Sequence, residues 1–183
     1  MIGRHLEFCR NQFRLGPLDF DFSAPGIYRV LGANGSGKST LLKLLSRRLN
    51  KSAGELLLPS GPIATLGIEP LFPLSWTGHQ ALLWTQKLTA RSLRRQDFLG
   101  PTRKYQERRF LELSTGQRRQ VELSILLSHD FEFYLLDEAL ECLDSEQRPL
   151  YENHLLYCAS EGARVIFTSH HQGQLSPQES LSL

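Results

Sequence analysis

The stretch Gly32-Ala33-Asn34-Gly35-Ser36-Gly37-Lys38-Ser39 completes the pattern G-x-x-x-x-G-K-S and constrains the chain more than any other. Glycines at these places admit backbone conformations closed to other residues and let the chain approach an anion closely. Successive N–H groups then converge on phosphate oxygens, and the helix that follows adds its positive end. The flanks agree with this reading. Ile27–Leu31 is a short apolar run of the kind that forms a buried strand. In Ser39–Leu49 the residues Leu41, Leu42, Leu44, Leu45 and Leu49 share one helical face. The expected anion site therefore uses Gly32, Asn34, Gly35, Ser36, Gly37, Lys38, Ser39 and Thr40. Lys38 is placed for the outer phosphates of a nucleoside triphosphate and the Ser39 hydroxyl for Mg²⁺.

The rest of the chain predicts an α/β fold with a mostly parallel sheet, because short apolar runs alternate with helical patterns. Residues 4–8 and 18–22 read as N-terminal strands joined by a turn near Gly16-Pro17. Residues 55–58 and 63–67 read as strands around Pro59–Pro62. From about 74 to 128 the pattern turns helical and basic, as in a short inserted helical part, with Ser114 as a cap for the helix to Ser128. Phe133–Leu136 and Val165–Thr168 read as buried strands, Ser145–Glu161 as a helix, and a brief tail follows. With 183 residues the chain is expected to form one domain, 1–183.

Phe133-Tyr134-Leu135-Leu136-Asp137-Glu138 places two carboxylates at the end of a buried strand, where open α/β sheets hold ligands. Asp137 suits a Mg²⁺ contact, direct or through water. Glu138 suits polarising the water that attacks a γ-phosphate. An acidic pair after a strand is common enough by itself; the upstream phosphate loop gives this one meaning.

Further motifs narrow the class. Leu113-Ser114-Thr115-Gly116-Gln117 resembles the signature sequence of the ABC (ATP-binding cassette) ATPases, with Thr115 replacing one glycine. Glu138-Ala139-Leu140-Glu141-Cys142-Leu143-Asp144 resembles the segment running into their D-loop, with Ala139 where proline is common. Val165-Ile166-Phe167-Thr168-Ser169-His170 resembles the strand leading to their switch histidine. The resemblance implies a P-loop NTPase core with an N-terminal antiparallel part. It also implies ATP and Mg²⁺ as ligands, with Glu138 and His170 as catalytic residues. Ser114, Thr115, Gly116 and Gln117 would close on the nucleotide of a second subunit, identical or not. Leu143 and Asp144 would lie at that boundary. An aromatic residue near the N-terminus would stack on adenine; Phe13 is the first candidate by spacing and Phe8 the second. One departure stands out: Ile68 falls where the family usually has the glutamine of its Q-loop, with Glu69 beside it.

Charge and composition add the expected setting. No run of 18 apolar residues exists, and the first thirty residues carry Arg4, Glu7, Arg10, Arg14, Asp19 and Asp21, which excludes a signal-peptide core. Cys9, Cys142 and Cys158 follow no metal or disulfide spacing. The chain is thus expected in the cytoplasm, and the resemblance implies the ATP-hydrolysing subunit of a transporter, peripheral at the inner face of a membrane through a separate transmembrane subunit. Residues 87–119 hold ten Lys/Arg against three Asp/Glu. Such a stretch is a solvated face or a docking surface, and it motivates a second reading: a soluble ATPase working on nucleic acid or in assembly.

Overall fold

The computed structural model describes residues 1–89, 102–169 and 175–183. In chain order the elements are β1 (Ile2–Arg10), β2 (Phe13–Asp21), β3 (Gly26–Leu31), α1 (Lys38–Leu45), β4 (Ala53–Leu57), β5 (Ile63–Leu66) and α2 (Gly78–Thr89). Then come α3 (Thr115–Leu127), β6 (Phe133–Asp137), α4 (Arg148–Ser160), β7 (Arg164–Thr168) and β8 (Glu179–Ser182). A parallel sheet runs β5-β6-β7-β3-β8, and an antiparallel one runs β2-β1-β4.

The apolar runs become strands whose side chains alternate between two cores. Phe133 and Leu135 of β6 join Tyr28, Val30, Ile166, Leu41, Leu44, Leu6 and Phe22 beneath α1 and the antiparallel sheet. Tyr134 and Leu136 join Val165, Leu66, Leu123, Leu127 and Leu155 beneath α3 and α4. A strand covered on both faces needs no polar face, which is why β6 reads as continuously apolar. A third cluster, Phe72, Ala81, Phe110, Leu113, Val121 and Ile125, holds α2 against α3. Helix α3 therefore belongs to two cores at once.

Four local expectations change. Gly16-Pro17 is not a turn; it lies inside β2, and the chain reverses at Asn11-Gln12, with Asn11 at φ 54°. β2 is an edge strand, where the missing N–H of Pro17 costs no ladder bond. Gly16 has φ +94°, and a Cβ there would lie 2.1 Å from the carbonyl oxygen of Leu6, so the bulge requires glycine. Helix α1 stops at Leu45, four residues early, because Arg47 takes a left-handed conformation. β4 and β5 flank one turn yet enter different sheets. The brief tail contains β8, which pairs in parallel with β3 from Tyr28↔Glu179 to Leu31↔Ser182.

Two buried tyrosines fasten α3: Tyr134 ties β6 to the residues after its end, and Tyr151 ties α4 to it. Tyr134 Oη donates to the carbonyl of His129 at 2.8 Å, and Tyr151 Oη donates to that of Gln120 at 3.1 Å. Burial pushes the Tyr151 hydroxyl up to about 12 and raises Tyr134 as well. A raised acid favours its neutral form in the fold. The contribution is therefore intact below pH 10 and lost as pH rises through about 12. Alkaline unfolding followed by circular dichroism is expected to begin in that window. Tyr151→Phe should flatten the pH dependence by on the order of 2–3 kcal/mol.

Candidate functional site

Parallel strands bring their C-terminal ends to one edge of the sheet. β3 ends in the loop Gly32–Gly37, β6 ends in Asp137-Glu138, and β7 ends at Thr168-Ser169. Asp137 sits opposite Thr168 in the register. The Thr168 hydroxyl donates to Asp137 Oδ1 at 2.8 Å and accepts the Glu138 N–H at 2.9 Å. That second bond holds Glu138 at φ 52°, a conformation a glutamate rarely adopts, which aims its side chain off the strand.

The loop is built as its glycines require. Gly37 has φ +111° and caps α1, and a Cβ on it would lie 2.8 Å from Leu15 Cδ1. Lys38 is buried, and its ammonium donates to the carbonyls of Gly32 at 2.9 Å and Ala33 at 3.1 Å. The Ser36 hydroxyl is buried without a partner. A cleft of about 510 Å³ opens here, lined by Phe13, Asn34, Gly35, Gly37, Lys38, Ser39, Thr40 and Glu138. Phe13 thus shares a wall with the loop, while Phe8 is buried in the core. Beside it, Ser39 and Asp137 line a second cleft of about 310 Å³ with Gly67, Ile68, Glu69, Lys43 and Arg48.

Ser114 caps α3 reciprocally: its hydroxyl accepts the Gln117 N–H at 3.2 Å, and Gln117 Oε1 accepts the Ser114 N–H at 3.1 Å. Ser114 and Thr115 are exposed, and residues 114–117 line neither of these clefts. Gly116 packs on the segment after Glu138; a Cβ there would lie 2.9 Å from the Cys142 carbonyl oxygen. Asp144 is exposed and accepts the Gln147 N–H at 2.8 Å. His170 lies outside the described residues. The residue before it, Ser169, donates to Glu141 Oε1 at 2.6 Å and accepts from Arg29 at 3.0 Å.

Sequence reasoning gave no role to Thr168, Arg29 or Glu141, although Thr168 and Glu141 lie inside the motif segments it quoted. Thr168 could have been suspected from its place at the end of a strand beside the acidic pair. Nothing local marks Arg29.

The sequence profile described as ABC transporter matches residues 15–141, more than half of the chain. The chain belongs to the ABC transporter family. A cytochrome c biogenesis ATP-binding export protein, CcmA, from Pseudomonas putida is 30% identical over 186 residues, covering 92% of this chain and 89% of that one. A petrobactin import ATP-binding protein, FatE, from Bacillus anthracis is 28% identical, covering 90% and 74%. Among solved structures, the dimeric ATP-binding cassette MJ0796, in a post-hydrolysis state with ADP and Pi, superposes with a TM-score of 0.81. It is 15% identical, covering 93% of this chain and 88% of that one. This ABC family member is an ATP-binding ATPase with an α/β fold. Among the described residues no helix is long and apolar enough to cross a membrane.

Proposed function

We propose that the chain is a single ATP-driven cassette that works as a pair of copies to power a separate membrane-spanning subunit. The observation that carries this reading is the separation of two half-sites. The phosphate loop, Phe13 and Glu138 line one cleft. The start of α3, a second anion-binding end, presents Ser114 and Thr115 exposed, with Gly116 and Gln117 half-buried, and lines neither that cleft nor its neighbour. A partner's Ser114, Thr115, Gly116 and Gln117 would complete the site, with Asp144 at the seam.

In each site Phe13 stacks on adenine and Gly32–Thr40 hold the phosphates. Ser39 and Asp137 would hold Mg²⁺, which would supply positive charge to the phosphate oxygens. Two protein oxygens suit this ion, which keeps most of its ligands as water and phosphate. Glu138 polarises the attacking water, and His170, following the tethered Ser169, contacts the γ-phosphate.

The membrane-partner half of the reading is supported by apolar exposure around α2. Trp84 packs on Phe72 and Trp76 yet remains 45% exposed. Leu88, one turn on, is 63% exposed, and Leu74 and Leu111, joined by a backbone bond of 2.9 Å, are also exposed. Large apolar side chains gathered in this way mark a docking surface. The names of the relatives, one an export and one an import ATP-binding protein, favour transport. The basic stretch gives less support to nucleic acid. Of its described charges, Arg119 is buried, Arg109 pairs with Glu112, and Arg108 donates to the Glu112 carbonyl.

Leu88→Asp is expected to leave basal ATP turnover unchanged and to abolish co-purification of a membrane-spanning protein from detergent-solubilised membranes. Recovery of the same membrane protein by Leu88→Asp and the wild type would contradict this docking face.

A further inference from the structure

The loop Gly67–Leu71 borders the Ser39–Asp137 side of the nucleotide site, yet it is held from α3. Arg119 and Glu122 lie three residues apart on that helix and are 4% and 1% exposed. Arg119 Nη1 donates to Glu122 Oε2 at 2.9 Å. Arg119 Nη2 donates to the carbonyls of Gly67 at 2.6 Å and Ile68 at 3.2 Å. Glu122 Oε1 accepts the Leu71 N–H at 2.8 Å. Both charges are thus spent on each other and on the two ends of one short loop. The Ile68 side chain takes no part and is 66% exposed.

A buried ion pair is a poor way to gain stability, because desolvating two charges offsets their attraction. Burial indeed pushes the Glu122 carboxyl up, against the Leu71 N–H and Arg119. What the pair does supply is geometry: one guanidinium nitrogen on two carbonyls, the other on the carboxylate, and that carboxylate on one amide fix the loop relative to the helix. Where the family's Q-loop places a glutamine side chain, this chain has Ile68, and its loop is positioned through the backbone instead.

We propose that Arg119 and Glu122 are positioning residues for ATP hydrolysis. They tie Gly67–Leu71 to α3, so that engagement of Ser114–Gln117 on the partner copy's nucleotide is delivered through the loop backbone to the Ser39–Asp137 side of the same chain's own site. This rests on the reading of the signature as acting between copies.

The test is the double variant Arg119→Met, Glu122→Leu, which replaces the pair by apolar groups of similar volume. Its melting temperature is expected within a few degrees of wild type, since such exchanges are often neutral or stabilising. ATP affinity should stay within about twofold while kcat falls by about tenfold or more, a split that mere structural support would not give. Wild-type kcat in the folded double variant would overturn the proposal. Amide hydrogen exchange of the wild-type protein provides an independent measurement. Leu71 is expected to exchange much more slowly than its neighbours in the loop, and exchange at the rate of an exposed loop would overturn the clamp. A protected Leu71 in a chain that does not dimerise with ATP would overturn the delivery step and locate the failure in the pairing of copies.

Discussion

Replacing Glu138 with glutamine is expected to reduce ATP turnover by roughly two to three orders of magnitude while ATP binding is retained. The glutamine keeps the volume and reach of the side chain, and the backbone that aims it is fixed by the Thr168 hydroxyl rather than by the carboxylate. What disappears is a group that can draw a proton from water. If hydrolysis is what reopens the pair, the variant should accumulate as a dimer with ATP and remain monomeric with ADP, as measured by light scattering. Turnover near the wild-type rate would move the water-polarising role away from Glu138.

Lys38→Met is expected to fail one step earlier, at binding. Lys38 is 7% exposed, and methionine keeps an unbranched apolar stem of similar length, so the fold should survive. Its ammonium rests on the carbonyls of Gly32 and Ala33, within reach of any phosphate the loop accepts. A hydrogen bond to a charged group contributes about 1.5–3 kcal/mol, so its loss should weaken ATP by roughly tenfold to a hundredfold. Fluorescent-nucleotide titration distinguishes this from Glu138→Gln, whose affinity should not change. Equal affinities for Lys38→Met and wild type would contradict the phosphate-binding role.

The parts of this architecture that were legible in the sequence are those made from contiguous residues. Gly32–Ser39, Asp137-Glu138 and the capped start of α3 each declare themselves, because loop, cap and strand-end chemistry are local. Phe133–Leu136 is apolar throughout, and Ile27–Leu31 and Val165–Thr168 are apolar but for Arg29 and Thr168; burial on both faces of a sheet explains that. β8 was hidden because Glu179–Ser182 is an edge strand, held by its backbone to β3 and showing little apolar character. The bulge at Gly16-Pro17 imitates a turn, since the same residue types serve both.

The connections between motifs could not be read in the same way. Thr168 and Asp137 are 31 residues apart, and Arg29 and Ser169 are 140 apart; such contacts follow from strand order, which no local pattern encodes. Arg119 and Glu122 show the opposite difficulty. An Arg and a Glu three residues apart on a helix look like an ordinary solvated pair. Their burial follows from α3 lying between two hydrophobic clusters, one shared with α2 and one with the sheet. Phe13 and Phe8 likewise both fall at plausible spacings, and packing separates them: Phe8 fills the core and Phe13 lines the cleft, which is why Phe13 is the one proposed for adenine.

The central claim, that each site is shared between two copies, is tested most directly by mixing two impaired variants. Lys38→Met weakens the phosphate loop and Ser114→Arg blocks the signature, so at an ATP concentration that just saturates the wild type each should turn over little alone. In a mixed pair both defects fall in one composite site and the other site is intact. Random pairing is then expected to restore turnover to as much as about a quarter of wild type. Turnover of the mixture no greater than that of the two variants measured separately would contradict the account.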